Sequence, residues 1–317
     1  MKVRITKVRE AALDIRVFEL ARPDGEALPH FSAGSHVDVK LGDSVVRQYS
    51  LCNNPDDVHR YMIGVLRDPR SRGGSVAMHA LKEGDLLDVS EPKNHFPLAR
   101  DATHSILLAG GIGITPILCM AERLARAGES FELHYCTREP ARTAFLERLN
   151  EGDLAGRVHL YFDTAPLSQR VSLDTVLASP KPGTHVYVCG PGGFIDAVLT
   201  TAEREGWAAA NVHREYFGAA PANGAANADG PFQVKVASTG QVLDVEAGET
   251  VIAALSKHGI DVPTSCEQGV CGTCLTRVLS GEPDHRDAYL TDEERALNDQ
   301  FLPCCSRSKS PQILLDL

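Results

Sequence analysis

Along the first hundred residues, apolar and polar positions fall into short β-forming runs: Val3-Arg4-Ile5-Thr6, Ile15-Arg16-Val17-Phe18-Glu19-Leu20, Ser35-His36-Val37-Asp38-Val39-Lys40, Val46-Arg47-Gln48-Tyr49-Ser50-Leu51 and Tyr61-Met62-Ile63-Gly64-Val65. Clusters of Gly, Pro, Asn and Asp separate them, and one helical stretch, Val76-Ala77-Met78-His79-Ala80-Leu81, interrupts the series. Short strands punctuated in this way predict an antiparallel β-barrel over residues 1–100. Near residue 102 the pattern changes. Strands at 106–110, 131–136, 158–162, 185–189 and about 212–217 alternate with helices that run to Ala127, over 143–149 and over 194–204. Such alternation predicts an α/β domain with a parallel sheet over 101–218, binding a nucleotide at the carboxyl ends of its strands.

Residues 219–230 are small and polar without periodicity and read as a linker. A third domain follows over 231–317. It has a hairpin-like pair of strands at 232–236 and 241–245, and a helix over 250–257 that ends at Gly259. Thr291-Asp292-Glu293-Glu294 reads as a capping box opening a short helix, and a strand at 313–315 closes the sheet.

The 317 residues suffice for two or three domains, each with its own core. A formal charge of −10 argues against a nucleic-acid partner, which demands a basic face. No apolar run reaches membrane-spanning length, and the start, Met1-Lys2-Val3-Arg4-Ile5-Thr6-Lys7, lacks the apolar stretch of a secretory signal, so a cytoplasmic protein away from membranes is expected. Residues 231–317 hold 13 acidic and 7 basic side chains. That excess is either solvated surface or a face that steers a basic partner protein.

Four of the nine cysteines change the picture most. Cys266, Cys271 and Cys274 form C-x4-C-x2-C, and Cys304 follows after 29 further residues. This is the plant-type spacing for a 2Fe-2S cluster, in which a loop wraps three thiolates round the irons and the fold returns a fourth. Gly269 and Gly272 suit such a loop, since backbone amides approach sulfur only where no Cβ intrudes. A tetrahedral zinc site is the alternative, but structural zinc draws on paired C-x2-C knuckles and only one is present. The gap favours Cys304 over the adjacent Cys305 as fourth ligand. Cys52, Cys119, Cys136, Cys189 and Cys305 mostly sit in apolar surroundings, as reduced buried thiols do.

Two patches in the barrel suggest a phosphate-bearing flavin. In Arg47-Gln48-Tyr49-Ser50-Leu51 a guanidinium can fork onto phosphate, a phenol can lie along a flavin and a hydroxyl can bond its edge. In Ser71-Arg72-Gly73-Gly74-Ser75 the glycines expose amides before a helix, with Ser75 expected as its N-cap. In the α/β region Gly111-Ile112-Gly113-Ile114-Thr115-Pro116 follows a strand, with Thr115 expected as N-cap and Pro116 in the first turn. Cys189-Gly190-Pro191 ends a later strand and would border the same crevice, with Cys189 either a buried strand-end thiol or a contact to the nicotinamide. Thr137-Arg138 ends the second strand, where an Arg could accommodate a 2′-phosphate, and no acidic residue ends that strand.

This order of motifs resembles the phthalate dioxygenase reductase family, whose members include vanillate demethylase reductases: a flavin barrel, then an NAD domain, then a C-terminal plant-type ferredoxin of the β-grasp type. The resemblance covers essentially the whole chain. It implies FMN bound by Arg47, Gln48, Tyr49, Ser50, Gly73, Gly74, Ser75 and Thr115, with Phe217 against the flavin and Glu215 nearby. It implies NADH held by Gly111, Gly113, Cys189, Gly190 and Pro191, with Thr137 and Arg138 added from their place at the end of the second strand, and a 2Fe-2S cluster on Cys266, Cys271, Cys274 and Cys304. The implied activity is that of an NADH-dependent reductase feeding a Rieske-type oxygenase. A nicotinamide gives up two electrons together and a cluster takes one at a time, so a flavin between them fits, and no acid/base dyad is expected. A reductase for a free ferredoxin or cytochrome and a zinc-containing nucleotide-sensing module are the alternatives.

Overall fold

The computed structural model describes residues 1–42, 45–68, 73–218 and 230–317. Ser71 and Arg72 of the glycine patch, and the linker apart from Gly230, lie outside the described residues. The described chain forms two compact units, Met1–Phe217 and Gly218–Leu317.

The first unit opens with seven antiparallel strands: β1 (Lys2–Ala12), β2 (Ile15–Ala21), β3 (Ser35–Leu41), β4 (Val45–Ser50), β5 (Tyr61–Leu66), β6 (Leu86–Val89) and β7 (Lys93–Asn94). Their order is β4-β3-β6-β1-β2-β5, with β7 beside β3. The sheet curls until Leu51, just past β4, pairs with Ile63 of β5, and the Cys52 amide donates to the Met62 carbonyl at 2.8 Å. Closure leaves no long free edge. β1 runs well beyond the expected 3–6, because Asp14 takes a left-handed φ of 64° and turns the chain straight back into β2. Val3, Ile5, Phe18, Leu20, Val37, Val39, Ile63 and Met78 fill the barrel, Met78 coming from α1 (Gly74–Ala80).

Next come β8 (His104–Gly110), α2 (Ile114–Arg126), β9 (Phe131–Thr137), α3 (Leu146–Asn150), β10 (Val158–Phe162), α4 (Leu173–Val176), β11 (Thr184–Gly190), α5 (Gly192–Arg204) and β12 (Val212–Tyr216). The five strands are parallel in the order β10-β9-β8-β11-β12, so strand order reverses between β8 and β11. α2 and α3 pack on one face and α4 and α5 on the other. The helix expected from 143 begins only at Leu146. The Thr143 hydroxyl instead pairs with that of Thr137 at 2.8 Å, and Phe145 sits at φ 62°. Ile15, Val17 and Met62 of the barrel share one core with Leu107, Ile117, Met120, Tyr135 and Tyr187 of the α/β layers. Arg148 adds a polar tie, donating to the Cys52 carbonyl and to Glu122, both at 2.7 Å. Burial at this seam joins barrel and sheet into a single unit.

The second unit contains β13 (Phe232–Val236), β14 (Val242–Val245), α6 (Val251–Lys257), β15 (Thr276–Ser280), β16 (Pro283–Asp284), α7 (Asp292–Leu297), β17 (Gln300–Phe301), β18 (Arg307–Ser308) and β19 (Gln312–Leu315). The main sheet has the order β14-β13-β19-β15-β17. The last strand, expected at 313–315, enters the middle of the sheet, parallel to β13 and antiparallel to β15. Val251, Ala254 and Leu255 of α6 cover this sheet, a β-grasp arrangement. Thr250 caps α6 through the Ala253 amide at 3.2 Å, and the capping box at Thr291 and Glu294 is complete. No helix among the described residues is long and apolar enough to cross a membrane.

Candidate functional site

The two barrel patches meet. A Cβ on Gly74 would lie 2.5 Å from Cγ and 2.9 Å from Nε of Arg47, so the β4 guanidinium stem runs across the start of α1. Gly73 is the residue before that helix, at φ 94°, and no side chain caps it. Arg47 therefore stands at the amino end of α1. Ser75 is not the N-cap: it lies inside the helix and its hydroxyl accepts the Asp68 amide at 3.1 Å. Alternation along β4 places Arg47 and Tyr49 on one face and Gln48 and Ser50 on the other. Burial raises the Tyr49 phenol well above its ordinary value. The Gln48 amide is engaged, donating at 2.9 Å to Asp38, whose other oxygen accepts Lys93 at 2.7 Å.

Ser50 reaches toward the α/β layers. Its hydroxyl bonds the carboxyl of Glu215 on β12, a partly exposed residue whose Oε2 is itself shielded from solvent and has no partner among the described residues. Burial pushes that carboxyl up to about 8, and the Ser50 bond only partly opposes the shift. Glu215 stands in register with Cys189 on β11, whose thiol is buried and raised well above the usual range by desolvation and then by Glu215. The pair sits at the carboxyl edge of the sheet. Phe217, which follows β12, is 42% exposed.

The strand-order reversal is built from glycine. A Cβ on Gly113 would come 2.2 Å from the Cys189 carbonyl oxygen, and one on Gly110 would come 2.9 Å from Pro191 and Phe194. The loop after β8 and the end of β11 thus touch backbone to backbone, at the position where open α/β sheets bind ligands. Thr115 is not the N-cap of α2: Gly113 holds that place, and the Thr115 hydroxyl donates back to the Ile112 carbonyl at 3.0 Å. The Thr115 methyl group faces Gly64 of β5, where a Cβ would come within 2.8 Å of it, so this residue lies between barrel and sheet. Pro116 is in the first turn, as expected.

Thr137 and Arg138 end β9 at the same carboxyl edge, with Arg138 exposed. Sequence reasoning passed over Asp163. The amides of Asp163 and Thr164 donate to the carbonyls of Thr137 and Arg138 at 3.0 and 3.1 Å, so an exposed carboxylate stands beside the end of β9 after all. It comes from the neighbouring strand, and only the parallel register of β10 on β9 brings it there.

In the second unit Cys266, Cys271, Cys274 and Cys304 are all buried. Cys266 borders Cys271 and Cys304, and Cys274 borders Cys304. The Gln268 amide donates to Cys266 Sγ at 3.3 Å. Leu290 and Leu302 wall the group with apolar surface. The Cys305 thiol turns to the Leu302 carbonyl and the Ser306 hydroxyl, both at 3.7 Å, and packs on Gly269. Four buried thiols linked in a chain of neighbours, with an amide directed at one sulfur, fit a thiolate-held iron-sulfur cluster.

Residues 234–309 match the 2Fe-2S iron-sulfur cluster binding domain family, and residues 91–212 match the N-terminal domain of dimethylamine monooxygenase subunit DmmA-like proteins. The chain is 54% identical over 318 residues to vanillate O-demethylase oxidoreductase of Pseudomonas sp. (strain HR199 / DSM 7063), covering 100% of both chains. It is 39% identical over 319 residues to phthalate dioxygenase reductase of Burkholderia cepacia, covering 100% of this chain and 97% of that one. Among solved structures it is similar to phthalate dioxygenase reductase, described as a modular structure for electron transfer from pyridine nucleotides to 2Fe-2S, with TM-score 0.77, 39% identity and coverage of 100% and 98%. It also resembles an intact type IV self-sufficient cytochrome P450 monooxygenase, with TM-score 0.85 and 38% identity, over 100% of this chain and 41% of that one.

The fold and these likenesses define a multidomain oxidoreductase with a C-terminal 2Fe-2S domain. The chain belongs to the oxygenase reductase family that includes vanillate O-demethylase oxidoreductase and phthalate dioxygenase reductase.

Proposed function

We propose that the protein is the NADH-dependent reductase component of a two-component Rieske-type oxygenase or demethylase, carrying electrons from NADH through FMN to its 2Fe-2S cluster and on to the oxygenase in the cytoplasm. The observation that carries this reading is the buried group of four thiols in a chain whose first 217 residues join a barrel to a parallel sheet with a glycine-built order reversal. The division of labour is residues 1–100 for flavin, 101–218 for NAD, 219–230 as linker and 231–317 for the cluster.

When bound, the three groups supply the conversion of a two-electron donor into single-electron steps. The residues hold and shield them. Arg47 and the amides after Gly73 take the flavin phosphate, with Gly74 and Ser75 forming the rest of that cradle. Tyr49, Gln48, Ser50 and Thr115 border the flavin and Phe217 covers it, while Glu215 holds Ser50. Gly111 and Gly113 let the nicotinamide nucleotide approach the backbone beside Cys189, Gly190 and Pro191. Thr137 and Arg138 receive the adenosine end, with Asp163 favouring a free ribose 2′-hydroxyl over a phosphate. Cys266, Cys271, Cys274 and Cys304 hold the cluster, and the acidic excess of 231–317 steers the oxygenase.

Cys271→Ala tests the assignment. The variant should lose electron delivery to the purified oxygenase yet still oxidise NADH with dichlorophenolindophenol; normal coupled turnover would contradict the reading. A second reading, delivery to a cytochrome, is favoured by the likeness to a self-sufficient cytochrome P450 monooxygenase, and comparing the two acceptors decides it.

A further inference from the structure

A strap at residues 285–290 crosses the thiol group without supplying a ligand to it. At its centre Asp287 has a side chain with no exposure to solvent. Its Oδ2 accepts the amides of Leu290 at 2.8 Å and Tyr289 at 3.2 Å, and the Ser306 hydroxyl donates to Oδ1 at 3.4 Å. His285 Nδ1 stands 3.6 Å from Oδ1, and Arg295 Nη2 stands 3.8 Å from Oδ2 while also donating to the Asp287 carbonyl. A carboxylate removed from water is costly unless so partnered.

The strap touches both ligand-bearing segments. The Ala288 amide donates to the Gly269 carbonyl at 2.9 Å, and a Cβ on Gly269 would lie 2.9 Å from the Asp287 Cα. A Cβ on Gly272 would lie 2.3 Å from the Tyr289 ring, so both glycines of the cysteine loop lie under the strap. On the other side, Ser306, two residues after Cys304, accepts the Arg286 amide at 3.1 Å and bonds Asp287.

We propose that Asp287 is a positioning residue for the cluster: it folds the strap over Gly269 and Gly272, ties the loop bearing Cys266, Cys271 and Cys274 to the segment bearing Cys304, and sets a fixed negative charge beside them. The proposal rests on the assignment of a 2Fe-2S cluster to these four thiols. A negative charge close to the cluster disfavours its more negative, reduced form.

The test uses the purified full chain as wild type, Asp287→Asn and Ser306→Ala, reading the midpoint potential of the cluster, the electron paramagnetic resonance signal of its reduced form, and iron release to a ferrous chelator. Asp287→Asn should shift the potential positive, alter the signal and release iron roughly tenfold faster, in keeping with the loss of one charged hydrogen-bonding group. Ser306→Ala should release iron at an intermediate rate. Wild-type potential and iron release in both variants would overturn the proposal. Should Asp287→Asn fail to accumulate folded, Ser306→Ala decides: faster release supports the tie and an unchanged rate refutes it. Wild-type protein lacking iron and acid-labile sulfide would instead sink the cluster assignment itself.

Discussion

Gly113 and Cys189 meet backbone to backbone: a Cβ on the glycine would stand 2.2 Å from the cysteine carbonyl oxygen and 2.7 Å from the next amide nitrogen. Neither atom is the end of a flexible side chain, so Gly113→Ala must part the loop after β8 from the end of β11. Overpacking of this kind costs about 1–3 kcal/mol. The variant should melt at lower temperature and show a raised KM for NADH, both measurable on one preparation.

The buried Glu215 carboxyl makes stability depend on pH. Its folded value of about 8 lies above the ordinary 4.5. Between those values the unfolded chain has released a proton that the folded chain keeps, so raising the pH favours unfolding. The contribution falls by at most about 1.4 kcal/mol per pH unit across that window and then levels off. Thermal unfolding of Glu215→Gln should lack this component, and its stability relative to wild type should rise from pH 5 toward about 8. Parallel curves for the two proteins would refute it.

Asp163 beside the Thr137–Arg138 end of β9 bears on the choice of donor. A carboxylate there accepts a ribose 2′-hydroxyl and repels a 2′-phosphate, while Arg138 would welcome the phosphate. Asp163→Ala should therefore raise kcat/KM for NADPH relative to NADH by roughly tenfold, about 1.4 kcal/mol of discrimination. Steady-state kinetics with both donors checks it.

The two adjacent cysteines should behave differently. Cys304 borders Cys266 and Cys274, whereas Cys305 turns toward Leu302 and Ser306. Cys304→Ser should lose iron and sulfide on purification, and Cys305→Ser should retain them. Metal analysis of the two variants separates the roles.

What the sequence disclosed was local. C-x4-C-x2-C, the capping box at Thr291 and the alternation of strands and helices all depend on neighbours in the chain, and the fold and family reading followed from them. The errors came from competition or distance. Ser75 and Thr115 looked like N-caps, but Asp68 and Ile112 supply other partners for their hydroxyls. Asp163 was passed over because its place beside β9 depends on parallel pairing across some 26 residues, the separation of Thr137 and Asp163. The core shared by Met62 and Tyr135 has no signature in either segment alone. Likewise, nothing near Asp287 in the chain announces that its carboxylate will be sealed between a cysteine loop and a returning strand.

Anaerobic titration of the purified chain with NADH, followed by absorbance and by mass identification of the released flavin, tests the central claim most directly. The account predicts FMN, bleaching of both flavin and cluster bands, and an endpoint at about 1.5 equivalents of NADH, since the flavin takes two electrons and the cluster one. A colourless protein, or flavin bands that bleach while no iron-sulfur absorbance is present, would contradict it.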